Sequence, residues 1–123
     1  MGIIQTNPGS PGANAGASGG KIYSFNAVTN ANNISVAPAN PQRNSITFHN
    51  PGANDILVSP TQALNLATGA YVTLTPTTAA LGGGFRVFAN GGSLTVTGEC
   101  QQAWQALAFA GTTNALTVMD SNL

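Results

Sequence analysis

Ionised side chains are what this sequence has least of: three Lys or Arg and three Asp or Glu, together 5% of the chain, where ordinary soluble proteins carry roughly 25%. Lys21, Arg43 and Arg86 are too few and too far apart to form the basic stripe that neutralises nucleic-acid phosphates. One His, one Cys, two Asp and one Glu give little material for general acid-base or nucleophilic chemistry. A zinc site takes about four ligands, which one His and one Cys cannot supply, so no metal and no cofactor is expected. No apolar run approaches the ~20 residues of a membrane helix. The start, Met1-Gly2-Ile3-Ile4-Gln5, has no basic or apolar leader region, so synthesis in the cytoplasm without Sec-type export is expected. The lone Cys100 excludes an intrachain disulfide and is compatible with a reducing compartment.

What remains for the surface is Asn, Gln, Thr, Ser, Ala and Gly. Such groups are cheap to desolvate against a partner, because no ionic hydration shell has to be removed. A formal net charge of zero also removes the self-repulsion that keeps free monomers apart. The composition therefore favours a homo-oligomeric or assembly subunit over its rival, a neutral extracellular domain.

Two regions differ in character. Residues 1–20 read as an extended arm, since Asn7 to Gly20 holds Pro, Gly, Ala, Asn and Ser without one large apolar residue. Fully extended, such an arm reaches about 65 Å, far enough to touch neighbouring subunits. Ile3 and Ile4 near its tip look like a plug for a distant pocket, and with Pro8 and Pro11 they are the candidate partner contacts. Residues 21–123 read as one all-β domain. Short β-branched and aromatic runs bounded by Gly, Pro, Asn or Asp predict strands over 21–28, 33–37, 44–49, 55–59, 71–75, 84–88, 93–97, 100–109 and 115–119. Ile46 and Phe48 alternate with Ser45, Thr47 and His49. Val72 and Leu74 alternate with Tyr71, Thr73 and Thr75, and Leu94 and Val96 with Ser93, Thr95 and Thr97, so each strand has one dry face. Pro38-Ala39-Asn40-Pro41 and Asn50-Pro51-Gly52 are breaks, and Asn90-Gly91-Gly92 reads as a hairpin turn. Eight or nine short strands point to a jelly-roll β-sandwich, with another Greek-key sandwich as the alternative. The segment 99–110 is ambiguous. Cys100, Ala103, Trp104, Leu107 and Ala108 fall at helical spacing, whereas a strand there needs a bulge; a strand is the expectation, given its neighbours.

The chemistry-bearing residues read as structural. His49 falls on the polar face of its strand beside a turn, although Cys100 or Asp55 is a conceivable partner. Cys100 follows Glu99, a neighbour that disfavours a thiolate, and reads as a small core hydrophobe. The oxygens of 50–55 could approach a calcium ion, yet one carboxylate makes a weak site and a plain turn is expected. The Gly-rich stretch 80–84 lacks the Lys of a phosphate loop and precedes a strand. Asn33-Ile34-Ser35 matches a glycosylation triplet with no export signal beside it. Trp104 is the only Trp and reads as a core or interface anchor; stacking on a sugar with Tyr23 or Tyr71 is the competing reading. Arg43 and Arg86 are expected to meet Asp55, Glu99 or Asp120, within the fold or across subunits.

The runs Arg43-Asn44-Ser45-Ile46-Thr47-Phe48-His49-Asn50-Pro51-Gly52, Leu57-Val58-Ser59-Pro60, Val72-Thr73-Leu74-Thr75-Pro76, Ala103-Trp104-Gln105-Ala106 and Leu116-Thr117-Val118 resemble the small β-sandwich structural proteins of tailed bacteriophages. The likeness is to capsid decoration or cement proteins with a jelly-roll core, and it covers about residues 21–119. It implies a virion protein without enzymatic activity that binds the major capsid protein, and neighbouring copies of itself, on the outside of an icosahedral shell. It transfers no catalytic residues. The rival reading is a glycan-binding module or a head-fibre or tail adhesin component, which shares the low-charge, turn-rich texture.

Overall fold

Among the described residues ten strands form, the longer ones where apolar residues alternate with Ser, Thr and Asn. In the computed structural model, which describes residues 20–71, 73–76 and 84–122, these are β1 (Ile22–Val28), β2 (Ile34–Ala37), β3 (Arg43–Asn50), β4 (Ile56–Pro60), β5 (Leu64–Asn65), β6 (Ala70–Tyr71), β7 (Phe85–Val87), β8 (Gly92–Thr97), β9 (Trp104–Ala108) and β10 (Asn114–Asn122). Two four-stranded antiparallel sheets, ordered β1-β10-β3-β8 and β2-β9-β4-β7, face one another as a β-sandwich, and β5-β6 is a small separate ribbon. Each connection between main strands crosses from one sheet to the other, except β4 to β7, which passes through the ribbon.

The core lies between the sheets. Ile46 and Phe48 of β3 and Leu116 and Val118 of β10 meet Val36, Ile56, Val58, Val87, Trp104 and Ala106 from the second sheet, all buried. Burying each large side chain contributes about 1.5–3 kcal/mol. Tyr23, Phe25, Leu94 and Val96 pack against the flanks of this core and stay partly exposed. A second, smaller cluster of Leu57, Leu74 and Leu107 lies on the outer face of the second sheet.

That second cluster explains why 99–110 is ambiguous in sequence. β9 sits between β2 and β4 and is buried along its whole length. Trp104, Ala106 and Ala108 face the core, while Leu107 faces the outer cluster. The segment is a strand, but only from Trp104. The expected strand start at Cys100 is corrected: 100–103 is a turn whose carbonyls bind Arg43, with Cys100 entering the core from it. The expected strand 71–75 is corrected too. β6 ends at Tyr71, and Thr73 to Thr75 run outside any strand, where Leu74 caps Leu57 and Leu107; Val72 lies outside the described residues. Leu74 is held there by its amide on the Gln105 side chain at 3.3 Å and by Asn33 Nδ2 on its carbonyl at 2.9 Å. The turn at 90–92 has the expected chemistry, with Asn90 at φ 62° and Gly91 at φ 97°. Instead of closing a hairpin, it carries the chain from β7 in one sheet to β8 in the other. The amides of Asn90 and Gly91 donate to the carbonyls of Gly52 and Asn50 at 2.7 and 2.8 Å, which ties this arch to the turn after β3.

Candidate functional site

Strand register sorts the outward side chains of the first sheet into rows. Ile22, Met119, Thr47 and Thr95 form one row; Ser24, Thr117, His49 and Ser93 form the next; Ser121, Ser45 and Thr97 form a third. None of these positions is Lys, Arg, Asp or Glu. The hydroxyls bond across strands, Thr47 to Thr95 at 2.9 Å, and His49 Nδ1 lies 3.3 Å from Ser93 Oγ. The result is a neutral, hydroxyl-rich sheet face whose β1 and β8 margins are exposed and on which Ile22 and Met119 are open to solvent. At about 4.8 Å per strand and 3.4 Å per residue, four strands offer a patch of roughly 300–400 Å².

Four of the six ionised side chains are placed elsewhere, in two pairs within the chain. Arg43, buried at the start of β3, uses all five guanidinium N–H groups. Nε and Nη2 donate to Asp120 Oδ2 at 3.1 and 3.0 Å; Nη1 donates to the Cys100 and Gln102 carbonyls at 2.9 Å each; Nη2 also donates to the Pro38 carbonyl at 2.7 Å. Asp120 additionally accepts the Lys21 amide on Oδ1 at 2.6 Å. Burial pushes the Asp120 carboxyl up, but the Lys21 amide, Arg43 and Asn40 outweigh it, and the group is held below the usual carboxylate range. Arg86 Nε donates to Asp55 Oδ2 at 2.7 Å on the surface, and its guanidinium lies over Phe109 at 4.2 Å and Phe88 at 5.5 Å. The Ala89 amide on Asp55 Oδ1, then Arg86, hold the Asp55 carboxyl below its usual range.

A cleft of about 440 Å³ opens beside β8, between the two sheets. Val96, Phe85, Pro60 and Ala63 form its apolar walls, Trp104 underlies its floor, and Glu99 and Gln102 supply polar groups. Trp104 itself is fully buried, with its ring 5.1 Å from Phe48 and 6.3 Å from Phe85 and its indole N–H on the Cys100 carbonyl at 3.2 Å. It therefore has no solvent-accessible ring face for a sugar; Tyr71 sits on the β5-β6 ribbon and Tyr23 on β1, at the flank of the core.

The structure does not bring the chemistry-bearing residues together. His49 bonds Ser93, Cys100 is buried with its sulfur 3.8 Å from the Arg43 carbonyl, and Asp55 holds Arg86 and the Ala89 amide. Among the described residues no three His, Cys, Asp or Glu side chains cluster. The 50–55 turn uses its own oxygens: Asn50 Oδ1 accepts the Gly52 amide at 3.0 Å and the Asn54 carbonyl accepts Asn50 Nδ2 at 2.8 Å. The candidate contacts Ile3, Ile4, Pro8 and Pro11 lie outside the described residues, as does the Gly-rich stretch before Gly84. Sequence reasoning missed Asn114, nearly buried, whose Nδ2 donates to the Val28 and Ala110 carbonyls at 2.8 Å each. Its only signal is an Asn just before an alternating run. No protein-family model matches the chain, and no curated protein or solved structure matches it.

Proposed function

We propose that this chain is a non-catalytic structural subunit of a virion, a capsid decoration protein that binds the outer surface of an icosahedral phage head and stabilises contacts between major capsid subunits. The observation that carries the reading is the neutral hydroxyl face of the first sheet. A protein that pairs Arg43 with Asp120 and Arg86 with Asp55 within the chain and leaves a whole sheet face without Lys, Arg, Asp or Glu has a surface suited to being covered. The interleaved order of the two sheets, read as a jelly roll, supports the same conclusion. Magnitude sharpens it. A patch of roughly 300–400 Å² falls short of the about 800 Å² per partner of a stable interface, so one copy binds weakly and strength comes from many copies acting together. The glycan-binding alternative loses its main residue, because Trp104 is buried.

The test is quantitative mass spectrometry of particles purified from a producing culture. Hundreds of copies on the head, with heat-sensitive shells once the protein is stripped off, is the expected result. A handful of copies on the tail, or none on any particle, overturns it.

A further inference from the structure

Among the described residues both edges of the first sheet are open. β1 pairs only with β10 and β8 only with β3, and neither has a backbone partner on its outer side among the described residues. Natural sheets blunt such edges with Lys, Pro, bulges or short strands; β1 shifts register between Phe25 and Val28, which leaves Ile22 to Phe25 as its regular stretch. β1 (IYSFNAV) and β8 (GSLTVT) contain no charged residue and no Pro, and they are seven and six residues long. The edges of the second sheet are shorter: β7 has three residues and carries Arg86, and β2 has four and runs into Pro38.

The two open edges also fit each other. Strand directions alternate across the sheet, so β8 runs opposite to β1, and a second copy shifted along the sheet presents its β1 antiparallel to β8. A register that sets Ile22 against Thr97 sets Tyr23 against Val96, Ser24 against Thr95 and Phe25 against Leu94. Every outward residue then meets an outward one, and every core-side residue a core-side one; a slip by one residue would invert all of them. The core-side four are the partly exposed apolar residues at the flanks of the core. The incoming strand would also run along the cleft wall at Val96. At the end of this ladder Lys21 falls beside Gly98-Glu99. Arg43–Asp120 and Arg86–Asp55 are the ion pairs among the described residues, and Lys21 and Glu99, both exposed, belong to neither. Pairing β8 with β8, or β1 with β1, would bring no opposite charges together.

We propose that the chain associates head to tail, β8 of one copy against β1 of the next, with Lys21 and Glu99 meeting across the joint. The contact is heterologous, so it repeats from copy to copy until it closes into a ring or continues as a row. This inference rests on the reading of the chain as one subunit among many, and it identifies the lateral partner as a second copy of itself.

The test uses two single substitutions in the full chain, Thr97→Cys and Ile22→Cys, at exposed positions that the joint would place about 4.5–5.5 Å apart between Cα atoms, within the Cα span that a disulfide bridges. Cys100 is buried and does not compete. Oxidation of the mixture is expected to give a disulfide-linked dimer containing one of each variant, whereas either variant alone stays uncrosslinked. A mixture no more crosslinked than the separate variants, or Thr97→Cys crosslinking to itself, overturns the proposal. Sedimentation supplies a second readout: Lys21→Glu or Glu99→Lys alone is expected to weaken association about fivefold, and the two together to restore it. Absence of restoration overturns the charge contact. Particles that carry hundreds of copies without the crosslink would sink the edge pairing alone; the crosslink without any chain on particles would sink the virion role alone.

Discussion

Arg43 is buried with every N–H group matched to an oxygen, and such a network is costly to leave half made. Asp120→Asn keeps the shape but strands the guanidinium without its counter-charge, and breaking a buried pair in this way costs about 3–5 kcal/mol. The midpoint of urea unfolding, read from the single buried Trp104, is expected to fall accordingly; an unchanged midpoint would show that the pair contributes little. Asp55→Asn removes the carboxylate partner of the half-exposed Arg86 and is expected to shift the midpoint far less. The pH dependence follows from the same groups. Asp120 and Asp55 have depressed carboxyl values in the folded chain, so in acid the unfolded chain takes up protons first. Their contribution is fully present above about pH 4 and is lost as pH falls through the folded values. Stability measured from neutral pH downward should therefore decline below about pH 4, and the decline should be shallower in Asp120→Asn.

Among the elements, the segment around Leu74 decides whether the second sheet has a covered outer face. Leu74→Ala removes the cap over Leu57 and Leu107 and is expected to cost about 2–5 kcal/mol in urea unfolding. A cost near zero would mean that the cap contributes nothing to the fold. This cap also marks where the sequence stops being readable. β3 and β8 have one wet face each, so Ile46, Phe48, Leu94 and Val96 announce themselves by alternation. β9 is covered on both faces, so alternation is replaced by a run, Trp104 to Ala108, that is apolar except for the buried Gln105 and also satisfies a helical spacing, and only its place between β2 and β4 settles the matter. Val72 and Leu74 alternate with Thr residues as a strand would, yet Leu74 is buried by the sheet beneath it rather than by pairing. Asn90-Gly91 shows that the chain turns, but not that the strands on either side belong to different sheets. For the candidate site, the scarcity of charge narrowed the ion pairs to Arg43 and Arg86 with Asp55, Glu99 or Asp120, of which Glu99 joins neither. Their matching required the topology that sets the start of β3 beside the end of β10. The cleft, built from three separate stretches within 59–63, 84–85 and 96–104, has no linear signature at all.

For the whole molecule, the two proposed contacts differ in physical kind, and salt separates them. The hydroxyl face carries no Lys, Arg, Asp or Glu, so its hold on a shell comes mainly from neutral hydrogen bonds and apolar burial, which screening leaves almost untouched. The lateral joint includes Lys21 against Glu99, both exposed, and an exposed pair weakens as the Debye length shrinks. Raising salt is therefore expected to leave the chain on purified heads while lowering self-association in free solution, with sedimentation following both. Removing residues 1–19 gives a third condition. The described fold has its core entirely within residues 28–118, so the truncated chain should unfold at the same urea midpoint, yet release from heads more readily if the arm adds a distant anchor. Shell binding that collapses in salt would mean that the footprint is ionic and lies away from the hydroxyl face. Binding that survives both salt and truncation would place the whole attachment on that face and leave the arm without a part in it.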